Sequence, residues 1–375
     1  MIKVGIVLNY KNAEKKKDEL LNVNSRKMKW LSLANEKRYK KFCIIKNNKK
    51  FIPADVAIGI YLESKYPDKV LVDYITPKEI STRRFKKNDI VFIIIYDLLE
   101  SFHLSDRTKF NKFKLALKSS KNVYPPYKYQ KFINNKCDYY KYLSKKGIPV
   151  APTYCISKEK WFLRNPDNYV NNLISKVRNN KWESIIAKPV YGQEAIDFAK
   201  FVSCDPVNKG LSCKKKAIKK YLSKNVPKYK SIVIQEYIKG FDQNNPEIRT
   251  YFINGTYMYS IITTAKRVGQ PVQEGGRFKI PNENWNYIRK LSQHVMESLP
   301  KLELPGKLKN PILTRIDIGS GLENVPYGYF VNEVEFVPSL YIEDQKNPVV
   351  EAIGESLKEV SEIYSTEHKE PNVLF

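Results

Sequence analysis

The sequence predicts an α/β protein built from more than one lobe. Three observations carry that reading. Strand-like apolar runs ("IKVGIVLN", "KVLVDYIT", "NDIVFIIIYD") alternate with helical patterns over residues 1–122; that order builds an open, mostly parallel sheet covered by helices. Further on, "IRTYFINGTYMYSIITTAK" carries two strand patterns around Asn254-Gly255, a dipeptide suited to a tight hairpin. Finally, 375 residues with 42% apolar content are enough for two or three lobes with a sizeable core.

The elements follow in order. Residues 2–9 form a buried first strand; the run is too short for a signal segment and passes into Lys-rich sequence. Residues 10 to about 50 read as a charged insertion, mostly helix or loop. "PADVAIGIYLESKYP" is a helix with Pro before its start. The run "VFIII" has the continuous apolarity that parallel sheets bury. "RTKFNKFKLALKSS" is an amphipathic helix. A helix over about 137–146 stops at Gly147, and "IPVAPTYCI" is extended. "ESIIAKPVYG" and "KSIVIQEYIKG" are strands on either side of a basic helix near "KKKAIKKYLS". "NENWNYIRKLSQHVMESL" is a helix, "TRIDIGS" and "GYFVNEVEF" are strands, and "PVVEAIGESLKEVSEIYS" is a last amphipathic helix. The final residues are expected to fray.

Composition narrows the function. No window approaches 18 uncharged apolar residues, so no membrane span is expected. The five cysteines are scattered without a C-x-x-C spacing and there are three histidines; this predicts reduced thiols, a cytoplasmic protein and no zinc site. The formal charge is +27, carried by 54 lysines and only 12 arginines. Readers of nucleic acid favour arginine for bidentate contacts, and the lysine runs are dispersed. A biased composition with some attraction for acidic substrates accounts for the charge better than a nucleic-acid partner.

"FVNEVEFVPSLY", residues 330–341, poses a question. Its strand period places Glu333 and Glu335 on one face. Like charges so placed repel, and with nothing to neutralise them one should hold a raised pKa. A hard cation such as Mg²⁺ would neutralise them, and Asp317 on the preceding strand would join them if the two strands pair antiparallel. Lys136 and Lys188 both stand at the ends of elements, where a point charge can meet a phosphate.

The order Lys136, Lys188, "IVIQEYI", Glu247, Arg249, Asp317, Glu333, Glu335 resembles the ATP-grasp superfamily. The likeness is to its carboxylate–amine ligases of the glutathione-synthetase and ribosomal-protein-glutamate-ligase kinds, and it covers about residues 120–345. "NEVEFVPSL" is its most specific element, with Glu335 where many members have Asn. "NNKCDYYKYLSKKGIPVAPT" resembles the entry to the family's central domain, "IAKPVYG" its Lys-Pro strand and "IQEYIKG" its adenine hinge. The resemblance implies an N-terminal pre-ATP-grasp α/β domain over 1–122, a smaller central lobe over 123–240 and a larger lobe with the metal site over 241–375.

It also implies roles. Lys136 and Lys188 would contact ATP phosphates. Gln235 would meet the adenine amino edge, with the backbone of Glu236 and Ile238 reading the ring. Glu247 would hold the ribose, and Arg249 and Arg315 the phosphate or developing acyl-phosphate. Asp317, Glu333 and Glu335 would bind two Mg²⁺ ions, with Mn²⁺ as a substitute. Lys266 and Arg267 would lie near the substrate end. The implied activity is ATP-dependent amide or peptide bond formation between a carboxylate and an amine, from an amino acid, a peptide or a protein end. The chain departs from the family after Lys188, where "VYGQEAIDFAKF" offers only Gly192 in place of a Gly-rich loop. That departure keeps a second class open, a weak or inactive scaffold that binds nucleotide or nucleic acid.

Overall fold

The structure is a computed structural model that describes residues 1–9, 19–95, 98–191, 196–204, 211–239, 247–264, 273–274, 280–304, 307–342, 348–367 and 371–375. Strands β1 (Ile2–Val7), β5 (Val70–Ile75), β6 (Ile90–Phe92) and β7 (Val123–Tyr124) make a parallel sheet in the order β5-β1-β6-β7. Helix α1 (Ala54–Lys65) follows Pro53 and is buried from Ala54 to Glu63. It lacks an apolar stripe because the sheet covers one side and α9 (Val349–Glu367) the other. That second contact needs Gly354, where an added Cβ would lie 2.3 Å from the Tyr61 ring. Helices α2 (Leu98–Ser105) and α3 (Arg107–Ser119) complete the lobe.

The charged insertion differs from its expectation. Beyond two 3₁₀ segments, Lys29–Asn35 and Lys37–Phe42, it holds strands β2 (Leu20–Asn22), β3 (Ile44–Lys46) and, at its end, β4 (Lys49–Pro53). These form a small sheet in the order β2-β4-β3. The β3–β4 hairpin turns on Asn47 and Asn48, both at positive φ, which asparagine tolerates better than most residues.

In the central region, α4 (Tyr127–Ile133) and α5 (Lys136–Lys145) lead into β8 (Thr153–Ser157). Asn135 caps α5 by accepting from the amides of Cys137 and Asp138, and Gly147 ends it at φ +75. With β9 (Ser184–Pro189), β10 (Ala199–Val202) and β11 (Ser231–Glu236), β8 makes an antiparallel sheet in the order β10-β9-β11-β8. Its core is shared with α6 (Pro166–Asn179) and α7 (Lys215–Asn225). Helix α6 was not among the expected elements, although Val170, Leu173, Ile174 and Val177 bury one helical face.

Strands β12 (Glu247–Ile253), β13 (Thr256–Thr264), β14 (Gln273–Glu274), β17 (Leu313–Gly319) and β18 (Phe330–Glu335) form the third large sheet, in the order β14-β13-β12-β17-β18. The β12–β13 hairpin turns on Asn254-Gly255, with φ 48 and 83. Helix α8 (Asn282–Ser298) packs on β17. A small sheet joins β15 (Lys301–Leu304), β16 (Lys307–Lys309) and β19 (Asn372–Leu374). The last residues are therefore not frayed: Val373 is buried and β19 pairs with β15.

The cysteines also depart from expectation. Cys137 is bonded to Cys155 and Cys204 to Cys213, with Cys43 left free. The packing of α5 against β8 brings the first pair together, which spacing along the chain did not reveal. Among the described residues, no helix is long and apolar enough to cross a membrane.

Candidate active site

Strands β17 and β18 are antiparallel, with Asp317 opposite Glu333 and Arg315 opposite Glu335. The carboxylates of Asp317, Glu333 and Glu335 each offer an oxygen within 4.8 Å of the others. The pairing skips Asn332, which makes it the extra residue of a β-bulge; bulges re-aim side chains and cluster near active sites. Asn332 Nδ2 then donates to Glu247 Oε1 at 2.8 Å, while Arg249 Nε donates to Glu247 Oε2 at 3.1 Å. Arg249 stands opposite Asp317 on β12.

The question posed by the glutamate pair has an answer within the protein. Lys136 Nζ lies 2.7 Å from Glu333 Oε1, and Arg315 Nη2 lies 2.9 Å from Glu335 Oε1. Arg315 also grips Asp317 through Nε and Nη2, each at 2.7 Å. At Glu333 the shift runs opposite to the expected rise. Burial pushes Glu333 up, but the charges of Lys136 and Lys188 outweigh it and hold the group below its ordinary value. The raised carboxyl is Asp317, pushed up to about 7 by burial against the pull of Arg315. Sequence alone ranks neighbours by spacing, and the lysines that offset Glu333 come from distant segments.

Lys188, on β9, donates to the Tyr140 hydroxyl at 3.1 Å. The linker between α5 and β8 docks on β18 through the Val331 amide and the Pro149 carbonyl at 2.9 Å. Ile238 is buried with Ala151 and Phe330 in a small cluster at this junction. The Gln235 side chain is buried and donates to Thr153 Oγ1 at 3.0 Å. The amide nitrogen is thus directed toward β8, because a buried donor must find a partner, and only the amide oxygen is left for the adenine amino edge. The Glu236 amide is used as well, by the Pro152 carbonyl at 2.9 Å. Lys266 and Arg267 lie outside the described residues, as does the stretch 192–195 with Gly192. Tyr140 and Asn332 were not expected to serve the site. Tyr140 had a readable signal, four residues after Lys136 on one helical face; a bulge leaves none.

Three carboxylates side by side are a hard oxygen donor set that fits Mg²⁺, and the cations around them fit a phosphate chain. No protein-family model matches the sequence, and no curated protein matches it either. The likeness is structural. D-cycloserine synthetase DcsG is 12% identical at a TM-score of 0.61, covering 96% of this chain and 99% of that one. D-alanyl-alanine synthetase A from Vibrio cholerae is 12% identical at a TM-score of 0.57, covering 96% and 98%. D-alanine–D-alanine ligase from Bacillus anthracis, solved with ATP, is 13% identical at a TM-score of 0.51, covering 98% and 99%. The fold is shared with these three proteins, over nearly the whole chain.

Proposed function

We propose that this chain is an ATP- and Mg²⁺-dependent ligase that joins a carboxylate to an amine through an acyl-phosphate. The observation that carries the reading is the convergence of Asp317, Glu333 and Glu335 with Lys136, Lys188, Arg249 and Arg315. Carboxylates gathered on one side are a donor set for a hard cation, and the basic groups around them suit a phosphate chain.

Asp317, Glu333 and Glu335 would hold Mg²⁺, or Mn²⁺ in its place. When bound, the metal would neutralise charge on the transferring phosphoryl group. Lys136 and Lys188 would hold the phosphate chain. The adenine would rest at the Glu236–Ile238 hinge and the ribose at Glu247. A substrate carboxylate oxygen attacks the γ-phosphorus and the bond to the bridging oxygen breaks, releasing ADP. Arg249 and Arg315 would steady the charge that develops. The amine nitrogen then attacks the acyl carbon, phosphate leaves, and the nitrogen gives up a proton. Lys266 and Arg267 would meet the substrate, which is an amino acid, a peptide or a protein end.

The test is ADP release against pools of amino acids and peptides, with hydroxylamine added to trap the acyl-phosphate as a hydroxamate. Glu333→Gln and Glu335→Gln should each cut the rate about a hundredfold or more, the scale for loss of a key electrostatic group. Variants within twofold of wild type would remove the metal assignment. Release of AMP and pyrophosphate would replace the acyl-phosphate route with adenylation.

A further inference from the structure

Helix α5 meets the site with two residues. Lys136 and Tyr140 are four apart, so they share one face, and both are buried. Lys136 holds Glu333. The Tyr140 hydroxyl donates to the main-chain carbonyl of Asn332 at 2.5 Å and accepts from Lys188 Nζ at 3.1 Å. Lys188 Nζ also lies 5.4 Å from the centre of the Tyr140 ring. The carbonyl that receives the phenol belongs to the bulged residue of the carboxylate strand.

Resting on the ligase reading above, we propose that Tyr140 is a positioning residue for Lys188. It fixes the ammonium group relative to β18, and so relative to the carboxylates that would hold the metal. A lysine side chain is a long flexible stem, and ordering it when ligand binds weakens affinity. A phenol suits the task for three reasons. Its proton is committed to Asn332, so its oxygen turns lone pairs toward Lys188. It is neutral when protonated, so it anchors the ammonium group without cancelling its charge, unlike the carboxylate that faces Lys136. An ammonium group has three donors, so the bond to Tyr140 leaves two N–H groups for phosphate oxygens. The ring is 2% exposed and packs on Tyr139 with centroids 4.6 Å apart, which holds the hydroxyl in place.

The experiment measures Mg²⁺·ATP affinity by calorimetric titration of the full chain, with melting temperatures as the check on folding. Six proteins are compared: wild type, Tyr140→Phe, Lys188→Met, Lys136→Met, and Tyr140→Phe combined with each lysine variant. Tyr140→Phe keeps the ring and its contact with the ammonium group and removes only the hydroxyl. It should weaken binding about tenfold, the scale of one hydrogen bond to a charged group, with little change in melting temperature. In the Lys188→Met background the same change should have almost no further effect, because groups acting as a unit are not additive. In a Lys136→Met background the tenfold effect should persist. If Tyr140→Phe does not fold, Tyr140→Met carries the same cycle. Unchanged affinity in Tyr140→Phe, or additive losses in its double variant with Lys188→Met, would overturn the proposal while leaving the ligase reading intact. Failure of the wild type to bind Mg²⁺·ATP would overturn both.

Discussion

Arg315 and Asp317 stand two apart on β17 and form a two-pronged ion pair, Nε to Oδ1 and Nη2 to Oδ2, both at 2.7 Å. Alternate residues of a strand share a face, so the sequence "TRIDIG" builds the pair into one segment. Because Nη2 also reaches Glu335 at 2.9 Å, one guanidinium serves two of the three converging carboxylates.

Removing that guanidinium should be costly. Arg315→Met leaves Asp317, at 1% exposure, without its main counter-charge. Breaking a buried pair by deleting one partner costs about 3–5 kcal/mol. Urea unfolding should show a loss of that size, and Mg²⁺ should restore more stability to the variant than to wild type. A variant as stable as wild type would mean that the carboxylates are neutralised some other way.

Nucleotide choice should rest more on the backbone than on Gln235. Its amide nitrogen is held by Thr153 and the Ala151 carbonyl, so Gln235→Ala should lower the melting temperature while leaving most of the preference for ATP over GTP in place. Thermal shifts with each nucleotide test this. A preference that collapses in Gln235→Ala would return the side chain to the adenine edge.

The cystine Cys137–Cys155 spans a sequence separation of 18 and ties α5 to β8 beside Lys136. Loop closure of this length stabilises by about 3 kcal/mol, so a Cys137→Ser, Cys155→Ser double variant should unfold at clearly lower urea. Thiol labelling in denaturant without reductant should tag Cys43 alone. Five tagged cysteines would show that all of them are thiols.

What could be read from the sequence was what depends on local periodicity. Asn254-Gly255 demands positive φ whatever surrounds it, and the spacing of Glu333 and Glu335 sets their common face. Asp317 joined them because β17 and β18 pair as neighbours in the chain. What escaped depends on distant partners. Lys136 reaches Glu333 across nearly 200 positions, Gln235 turns toward Thr153, and the bulge at Asn332 exists only in the pairing of two strands. The short strands β2, β3 and β19 carry too few residues to show a period.

Asp55 gives a pH dependence separate from the site. It is buried near the start of α1 and accepts from the amides of Asn9 at 2.7 Å and Val56 at 2.8 Å. Burial nonetheless pushes its carboxyl up to about 6 from an ordinary 3.8. Between those values the folded protein keeps a proton that the unfolded chain has lost. Stability from this group is therefore highest below about pH 4, falls as pH rises to about 6, and stays low above that. A shift of about two units corresponds to about 3 kcal/mol. Asp55→Asn carries no such proton, and the hydrogen bond it forfeits is a loss independent of pH. Urea unfolding of both proteins from pH 4 to pH 7 should show the difference moving toward the variant by up to about 3 kcal/mol, and subtracting one from the other cancels the titration of groups common to both. A difference that stays constant across that range would mean that Asp55 titrates in the folded protein as it does in the unfolded chain.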